Sequence, residues 1–195
     1  MTTGQWLANP DGGTWFFDSG ALSLDFGLVG VDVREQFASP ADLLEWVTER
    51  FEHLDRSVSD GELRDAVLLR HAISRSALAV SDRRTPAADD IDTINLFAAT
   101  PDVPPVLGGG RRRAGASRVR VAQTLSSIAR DAVRLLSAHD GERIRQCEAA
   151  DCSYVFLDES RSNNRRWCSM QRCGNRAKVR AHRARAADAV ATSGD

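Results

Sequence analysis

The chain has 195 residues, of which 42% are hydrophobic and 27% are charged, and its formal net charge is −1. This length allows one hydrophobic core, or a medium core with a small appended module, and the composition is that of an ordinary globular protein. No segment approaches the roughly 18 apolar residues of a membrane-spanning helix, and the N-terminus lacks the basic and apolar regions of a secretory signal. We therefore expect a cytoplasmic protein with no membrane partner.

The N-terminal segment combines an irregular start with a short apolar run. The first 17 residues, which include the aromatic run at 15–17, predict irregular structure. In the following segment, ALSLDFGLVG (21–30), apolar side chains occupy alternate positions from Leu22 to Leu28, which favours a strand. An apolar run this short is also compatible with a buried helix, and periodicity alone does not decide between the two.

Four helical segments are predicted after this run. Ser39 can cap a helix that has Pro40 at its first position, Ser59 starts a second helix, and Pro86 starts a third. Residues 101–117, rich in proline, glycine and arginine, predict an exposed loop, and residues 118–140 predict a long amphipathic helix. The predicted core-facing residues of the first, second and last of these helices are Leu43, Leu44, Val47, Phe51, Leu54, Leu63, Ala66, Val67, Ile73, Ala77, Leu78, Val121, Leu125, Ile128, Val133, Leu135 and Leu136.

These segments predict a mainly α fold in three parts. Residues 1–140 form a helical domain with a possible short strand or hairpin, and residues 141–188 form a small C-terminal four-cysteine module made of a β-hairpin and a helix. Residues 189–195 are expected to be a disordered tail.

The small net charge conceals an uneven distribution along the chain. Residues 1–140 hold 15 basic and 20 acidic side chains, whereas residues 141–195 hold 11 basic and 7 acidic ones. Residues 161–185 contain nine basic side chains and no acidic one. A segment charged in this way favours a polyanionic partner.

All four cysteines lie in this basic part of the chain, as two close pairs formed by Cys147 with Cys152 and by Cys168 with Cys173. In a reducing cytoplasm such a cluster is more typical of a metal site than of disulfides. Two pairs at this spacing suit two turns that converge on one tetrahedral Zn²⁺, with an iron–sulfur cluster or four unrelated thiols as the alternatives. Four thiolates leave no open position for water, so the sequence predicts one structural zinc per chain.

The spacing of the second pair constrains its local structure. Five residues along an α-helix rotate by about 500°, so Cys168 and Cys173 cannot both bind one ion from a regular helix. We expect Cys168 to lie in a turn and Ser169 to cap a helix whose first turn carries Cys173. Between the pairs, residues 153–160 predict a strand or hairpin, and zinc binding would supply most of the folding energy of such a small module.

The segment after Cys168 predicts a basic helix. Four of its arginines fall on one arc, beside a narrow stripe of mostly small side chains that can pack on the zinc hairpin, and they are Arg172, Arg176, Arg180 and Arg183. Lys178 and Arg185 lie on the opposite flank. Phosphate oxygens or a guanine edge would satisfy these guanidinium groups, and a zinc-braced helix can enter the major groove of DNA. A solvated basic face, or docking on the acidic N-terminal domain, is the alternative. The residues predicted to contact nucleic acid are Arg165, Arg166, Arg172, Arg176, Lys178, Arg180, Arg183 and Arg185.

The stretch RRWCSMQRCGNRAKVRAHRAR resembles the CGNR zinc finger, which is named for the run found here at residues 173–176. The resemblance covers both cysteine pairs and the basic segment. It implies four zinc-ligating cysteines, DNA binding and an N-terminal helical ABATE domain, a domain associated with stress-induced transcription regulation. ABATE domains commonly begin with Leu-Asp-Phe followed by a polar Asn-Thr, whereas here Leu24-Asp25-Phe26 precedes Gly27-Leu28-Val29. An effector pocket lined by those polar residues would therefore differ in this chain or be absent.

Three further residues of the module are expected to support its structure. Glycine inside a helix costs roughly 1 kcal/mol, so Gly174 indicates a close backbone approach near the metal turn. Asn175 is expected to bond to the backbone of the zinc hairpin, with an adenine edge as the alternative. Trp167 is expected in the core, with base stacking as the alternative.

The leading functional hypothesis is a zinc-dependent DNA-binding transcriptional regulator, whose N-terminal domain senses a small-molecule effector or dimerises. One short helix reads only a few base pairs, which favours a homodimer or an additional arm, for which the basic loop at 108–118 is a candidate, although a surface loop is the expected role of that segment. RNA binding and docking on an acidic protein are the alternatives. We expect no enzymatic activity, because His53, His71 and His139 lack a catalytic constellation and no phosphate loop or nucleophile elbow is present. Zinc thiolates could in addition respond to oxidants.

Overall fold

The computed structural model describes residues 3–8, 12–28, 37–105, 118–137 and 142–192, with side chains described to residue 185 in the last helix. Most of the loop predicted at 101–117 and the last three residues of the predicted tail lie outside these ranges. Within them the chain forms β1 (Gln5–Ala8), β2 (Thr14–Phe17), α1 (Leu22–Gly27), α2 (Pro40–Thr48), α3 (Asp60–Ser81), α4 (Ala88–Ala98), α5 (Val121–Leu136), β3 (Ile144–Gln146), β4 (Val155–Leu157), a π-helical turn (Met170–Gly174) and α6 (Asn175–Thr192).

The main hydrophobic core lies between α1, α2, α3, α4 and α5. Its fully buried side chains include Phe26 of α1, Leu43 of α2, Leu69 of α3 and Ile128 of α5, and Ile94 of α4 is nearly so. The sequence predicted helices at α2, α3, α4 and α5, whereas its pattern favoured a strand at α1; the predicted mainly α fold is confirmed. No helix among the described residues is long and apolar enough to cross a membrane.

The helix starts follow the predicted capping residues closely. The Ser39 hydroxyl accepts from the Asp42 N–H while the Asp42 carboxylate accepts from the Ser39 N–H, and Ser59 and Glu62 form the same reciprocal pair at the start of α3. Helix α2 ends at Thr48, but Phe51 and Leu54 beyond its end still pack in the core as predicted. Val133 of α5, which was also predicted to face the core, is instead 38% exposed.

The strand predicted over residues 21–30 is wrong, because residues Leu22–Gly27 form α1. The strand prediction assumed that apolar residues at alternate positions face the core and that the residues between them face solvent. Every residue of α1 is buried, so this assumption does not hold here. The polar side chains of α1 are satisfied inside the protein. The Ser23 hydroxyl, for example, donates to the Asp131 carboxylate of α5 over 2.7 Å.

The predicted irregular start is instead a two-stranded antiparallel hairpin, in which Trp6 of β1 pairs with Phe16 of β2. Asp25 fastens this hairpin to the helical core. Its buried carboxylate accepts hydrogen bonds from the Gly4 N–H over 2.5 Å and from the Ser19 N–H and hydroxyl over 3.2 and 2.7 Å. Burial raises the pKa of Asp25, although these hydrogen bonds oppose the shift.

The second hairpin, β3–β4, joins the cysteine-rich module to the helices. Ile144 of β3 and Val155 of β4 are buried in one cluster with Leu24, Ala77 and Leu135 of the helical domain. The module is therefore packed against the rest of the protein. Helix α6 continues to Thr192, four residues past the predicted end of the module at residue 188.

Replacing Asp25 with alanine should unfold the protein more easily, because three donors lose a buried acceptor. We expect a loss of about 2–4 kcal/mol in the free energy of unfolding, measured by urea denaturation. The exposed Asp92→Ala variant should change stability by less than about 0.5 kcal/mol.

The same pair of proteins gives a pH test. Because its pKa is raised, folded Asp25 holds its proton more tightly than the unfolded chain does, so its contribution to stability falls as the pH rises from 3.8 through the folded pKa. The stability difference between the wild type and Asp25→Ala should therefore narrow over that range. A difference that widens with pH would contradict the burial effect.

Candidate metal centre and basic helix

The structure brings the four cysteines together. Their Sγ atoms all lie within 4.8 Å of one another, with Cys168 Sγ at 3.6 Å from Cys152 Sγ and 3.5 Å from Cys173 Sγ. A tetrahedral zinc site with Zn–S bonds of about 2.3 Å separates its sulfur atoms by about 3.8 Å. The observed spacing and the all-sulfur donor set therefore fit one zinc ion, and the predicted cofactor is confirmed.

The close approach of the four thiols shifts their pKa values in opposite directions. Hydrogen bonds from Cys152 and Cys168 lower the pKa of the Cys147 thiol, while the neighbouring Cys147 raises the pKa of the Cys152 thiol. A divalent cation at the centre would let all four become thiolates, since metal ligation requires the deprotonated form. When bound, zinc would hold the two cysteine turns together rather than supply chemistry.

The first cysteine pair belongs to the turn that connects β3 and β4. The Cys147 N–H donates to the Tyr154 carbonyl and the Cys152 N–H to the Ala149 carbonyl, both over 2.9 Å. In the same turn the Glu148 N–H donates to the Arg166 carbonyl over 3.0 Å, which ties the first pair to the segment that carries the second.

The second pair has the predicted turn-and-cap geometry. Cys168 lies in a bend, and the Ser169 hydroxyl accepts from the Arg172 N–H over 3.3 Å. Cys173, however, lies in a π-helical turn rather than in an α-helix. The Gly174 N–H donates over 3.0 Å to the Ser169 carbonyl five residues earlier, which is the π-helical pattern. The sequence contains no feature that distinguishes this turn from an α-helical start.

Residues Gly174, Trp167 and Asn175 support this turn. A Cβ atom added at Gly174 would lie 2.9 Å from the Met170 Sδ atom and 3.3 Å from Trp167 Cδ1, so the space beside the glycine is filled. Trp167 is half-buried against the cluster that contains the cysteines. The Asn175 side chain donates to the Gln171 carbonyl over 3.0 Å, and it therefore bonds to the π-helical turn itself rather than to the zinc hairpin.

Three arginines of the predicted nucleic-acid surface pack against the metal centre or the hairpin beside it. Arg176 donates from Nη2 to Cys173 Sγ over 3.1 Å and pairs through Nη1 with Asp151 at 2.9 Å. Arg165 lies 4.3 Å from the Phe156 ring centroid and donates to the carbonyls of Trp167 and Cys168. The third, Arg172, belongs to the contact with the N-terminal hairpin.

The N-terminal hairpin forms one wall of the metal centre. The Arg172 guanidinium lies 4.3 Å from the Trp15 ring centroid, and the Tyr154 ring lies 5.7 Å from Trp15 and 4.9 Å from Phe17. Trp15 and Phe17 belong to the same hydrophobic cluster as the four cysteines. Sequence reasoning missed these two residues, although aromatic side chains at alternate positions after a Gly-Gly pair could have indicated a hairpin strand.

A buried carboxylate that was also missed organises the loop between the cysteine pairs. Asp158 accepts from the N–H groups of Ser160 and Arg165 over 2.9 and 2.8 Å. Burial alone would raise the pKa of Asp158, but these hydrogen bonds, the Ser160 side chain and the nearby Arg145 together hold it below its usual value. Arg165 is thereby placed where its side chain reaches Phe156.

The outer basic residues are more exposed. Arg166 pairs with Glu148 at 2.6 Å on the module surface, and Arg180 pairs with Asp151 at 2.9 Å. Lys178, Arg183 and Arg185 are exposed. The small-residue stripe predicted to pack on the zinc hairpin does so only near the start of α6, because Ala181 and Ala184 are exposed.

Loss of Arg176 should weaken zinc retention, since its guanidinium donates to a zinc-ligating sulfur. In Arg176→Ala we expect zinc transfer to a chromogenic chelator to become about tenfold faster, at the low end of effects seen for groups that bond to metal ligands. Arg183→Ala removes the same charge from an exposed position and serves as the control. Equal release rates in the two variants would show that the Arg176 contact does not retain the metal.

Comparison with protein families agrees with this geometry. A model of the CGNR zinc finger matches residues 143–186, and the ABATE model, described as "Putative stress-induced transcription regulator", matches residues 20–139. A comparison with curated protein sequences finds no match. Both resemblances expected from the sequence are confirmed, and the ABATE match alone covers more than half of the chain. The chain therefore belongs to the ABATE family and carries a CGNR zinc finger after its ABATE domain.

Proposed function

We propose that the protein is a non-enzymatic, zinc-dependent regulator of transcription that binds duplex DNA through the outer part of α6. The observation that carries this proposal is the exposure of every described residue from Lys178 to Arg185. This stretch has four basic side chains and no apolar stripe. A short helix without packing is marginally stable in water, so a polyanionic surface that binds its cations would stabilise it.

Duplex DNA is the form of nucleic acid that this surface suits best. An α-helix fits the major groove, and arginine forks match phosphate oxygens and guanine edges. Single-stranded nucleic acid is usually bound by exposed aromatic rings, but Trp167 is half-buried and Arg166 lies 4.9 Å from its ring centroid. RNA is therefore the weaker alternative.

An acidic protein partner is the second alternative, and one contact favours it. Asp151 already pairs with Arg176 and Arg180, so a carboxylate can bind to this side of α6. A competition experiment tests whether the two partners use this surface. If duplex DNA displaces an acidic protein from the module, both bind the same side of α6; if both bind at once, they use different sites.

The proposal has three further parts. The protein acts in the cytoplasm, where zinc thiolates stay reduced, and it responds to stress as its family description suggests. It binds DNA as a dimer, because a single short helix contacts too few base pairs for useful specificity. The ABATE domain supplies the effector response.

DNA binding by the outer helix should show a characteristic salt dependence. We expect the wild type to bind random duplex DNA with an affinity that falls steeply with salt. Replacing Lys178, Arg180, Arg183 and Arg185 with alanine should reduce the slope of log K against log [salt] by about 0.9 for each phosphate that is no longer neutralised. Fluorescence anisotropy across a salt series measures both slopes, and bound zinc is quantified in each protein.

The matched control removes four exposed arginines from the helical domain, namely Arg56, Arg64, Arg83 and Arg84. It has the same net charge as the outer-helix variant and should keep the wild-type slope. Arg172 and Arg176 are left unchanged in both variants because they contact Trp15 and Cys173. An equal reduction of the slope in the two variants, or no binding by the zinc-loaded wild type at low salt, would contradict the proposal.

Asp151 should oppose DNA binding, because its carboxylate competes with phosphate for Arg176 and Arg180. The arginine contacts hold the pKa of Asp151 below its usual value, with Arg180 the largest cause, so the carboxylate is ionised at neutral pH. Asp151→Asn should bind DNA about three- to tenfold more tightly, with unchanged zinc content. Glu159→Gln, an exposed position on the same module, controls for net charge, and an equal gain there would show that the Asp151 contact is irrelevant.

A further inference from the structure

A cleft of about 570 Å³ opens between the β1–β2 hairpin and α2, away from the metal centre. Its walls combine aromatic and acidic side chains. Trp6 and Phe16 of the hairpin and Trp46 of α2 line it, and so do three carboxylates of the α2 region. Those carboxylates belong to Asp42, Glu45 and Glu49.

The aromatic wall is unusually exposed for a two-stranded hairpin. Trp6 is 70% exposed and Phe16 is 47% exposed, and their rings stand edge to face with centroids 5.5 Å apart. The two residues are cross-strand partners, so they lie on one face of the hairpin. Leu7, Trp15 and Phe17 lie on the other face and pack in the cluster of the cysteines.

The charge of the cleft is negative where it meets solvent. Asp42, Glu45 and Glu49 follow one another at spacings of three and four residues, which places them along one side of α2 and its C-terminal end. Among the described residues that line the cleft, the one basic side chain is that of Arg50, which is only 2% exposed. It lies 4.0 Å from the Trp46 ring centroid and is paired with Glu49 at 2.9 Å.

We propose that this cleft binds a small organic cation in which an amine, amidine or guanidinium is attached to a flat apolar group. Aromatic faces attract cations, the exposed carboxylates of Glu45 and Glu49 supply the counter-charge, and a flat apolar group can stack on Trp6. An anionic ligand is disfavoured, because Arg50 donates to Glu49, to the Trp46 carbonyl and to the Gly4 carbonyl and is shielded from solvent.

The cleft and the metal centre share the hairpin as a common wall. On the cleft side, Arg50 Nη2 donates to the Gly4 carbonyl over 2.8 Å and Trp46 Nε1 donates to Gln5 Oε1 over 3.1 Å. On the opposite side, Trp15 contacts Arg172. A cation that holds the hairpin against α2 therefore also stabilises the wall of the zinc module. This regulatory consequence rests on the proposed function, whereas cation binding itself does not.

Benzamidine is the probe, with benzamide and benzoate as neutral and anionic molecules of nearly the same shape. Isothermal titration calorimetry on the zinc-loaded full chain should show benzamidine binding in the millimolar range or tighter, with the other two at least tenfold weaker. Trp6→Ala and Glu45→Gln should each weaken benzamidine binding at least threefold. Both residues are exposed, so neither change should impair folding.

Leu96→Ala and Glu52→Gln are the controls. Leu96 is, like Trp6, a large exposed apolar residue, Glu52 is, like Glu45, an exposed glutamate, and both lie outside the cleft. They should leave benzamidine binding unchanged. Equal binding of benzamide and benzamidine, or full binding by Trp6→Ala, would overturn the assignment of the cleft as a cation site. Binding of a basic protein segment in place of the small cation, with benzamidine unable to compete, would overturn it as well.

The coupling is tested by zinc transfer to a chelator, a measurement that needs no DNA. Saturating benzamidine should slow zinc release at least threefold in the wild type. In Trp6→Ala the benzamidine concentration that gives half of this effect should rise at least threefold, in step with the weaker binding. Binding without any change in zinc release would overturn the coupling. Because DNA affinity is measured separately without benzamidine, a failure of DNA binding would contradict the proposed function and leave the cation site standing.

Discussion

Four thiolates around one zinc ion carry two more negative charges than the ion neutralises, and the C-terminal part of the chain is arranged to balance that excess inside the protein. Arg176 donates directly to a ligating sulfur, and Arg165 donates to the carbonyl of a ligating cysteine. The basic composition of this segment therefore has two physical origins. Its inner arginines compensate the metal centre, while Lys178, Arg183 and Arg185 on the outer helix remain exposed to solvent.

The same constraint explains why the zinc finger is not an independent unit. A small module with few apolar residues needs an additional wall, and the N-terminal hairpin provides it through Trp15 and Phe17. That hairpin, at residues 5–17, precedes the ABATE match at residues 20–139 and lies far from the finger in sequence. The N-terminal hairpin contacts both domains but lies outside both family matches.

How much the sequence could predict depends on how local each feature is. Capping at Ser39 and Ser59, the cysteine spacing and the position of Cys168 in a turn depend on neighbouring residues, and the structure agrees with all of them. The roles of the arginines depend on distant partners. No helical wheel shows that Arg172 faces Trp15 or that Arg176 meets Asp151. The first contact needs the N-terminal hairpin beside the module, and the second needs the folded cysteine turns.

The segment Leu22–Gly27 was predicted as a strand for a related reason. Because all of its residues are buried, its sequence has no pattern of solvent-exposed and core-facing positions from which a helix could be recognised. The exposed rings of Trp6 and Phe16 were equally beyond prediction from the pattern. Aromatic residues at 15–17 are compatible with a strand. Only the packing shows that Trp15 and Phe17 face the metal module, whereas Phe16 and its cross-strand partner Trp6 face away from it.

The π-helical turn at Met170–Gly174 determines the direction in which the outer helix presents its side chains. It contains one residue more than an α-helical turn, while every residue after it advances by about 100° around the axis. Shortening this turn by one residue would rotate Lys178, Arg183 and Arg185 together by roughly that angle relative to Cys168. The length of the turn thus fixes how α6 is rotated about its axis relative to the metal centre. A change in that length would point the basic side chains in a different direction without replacing any of them.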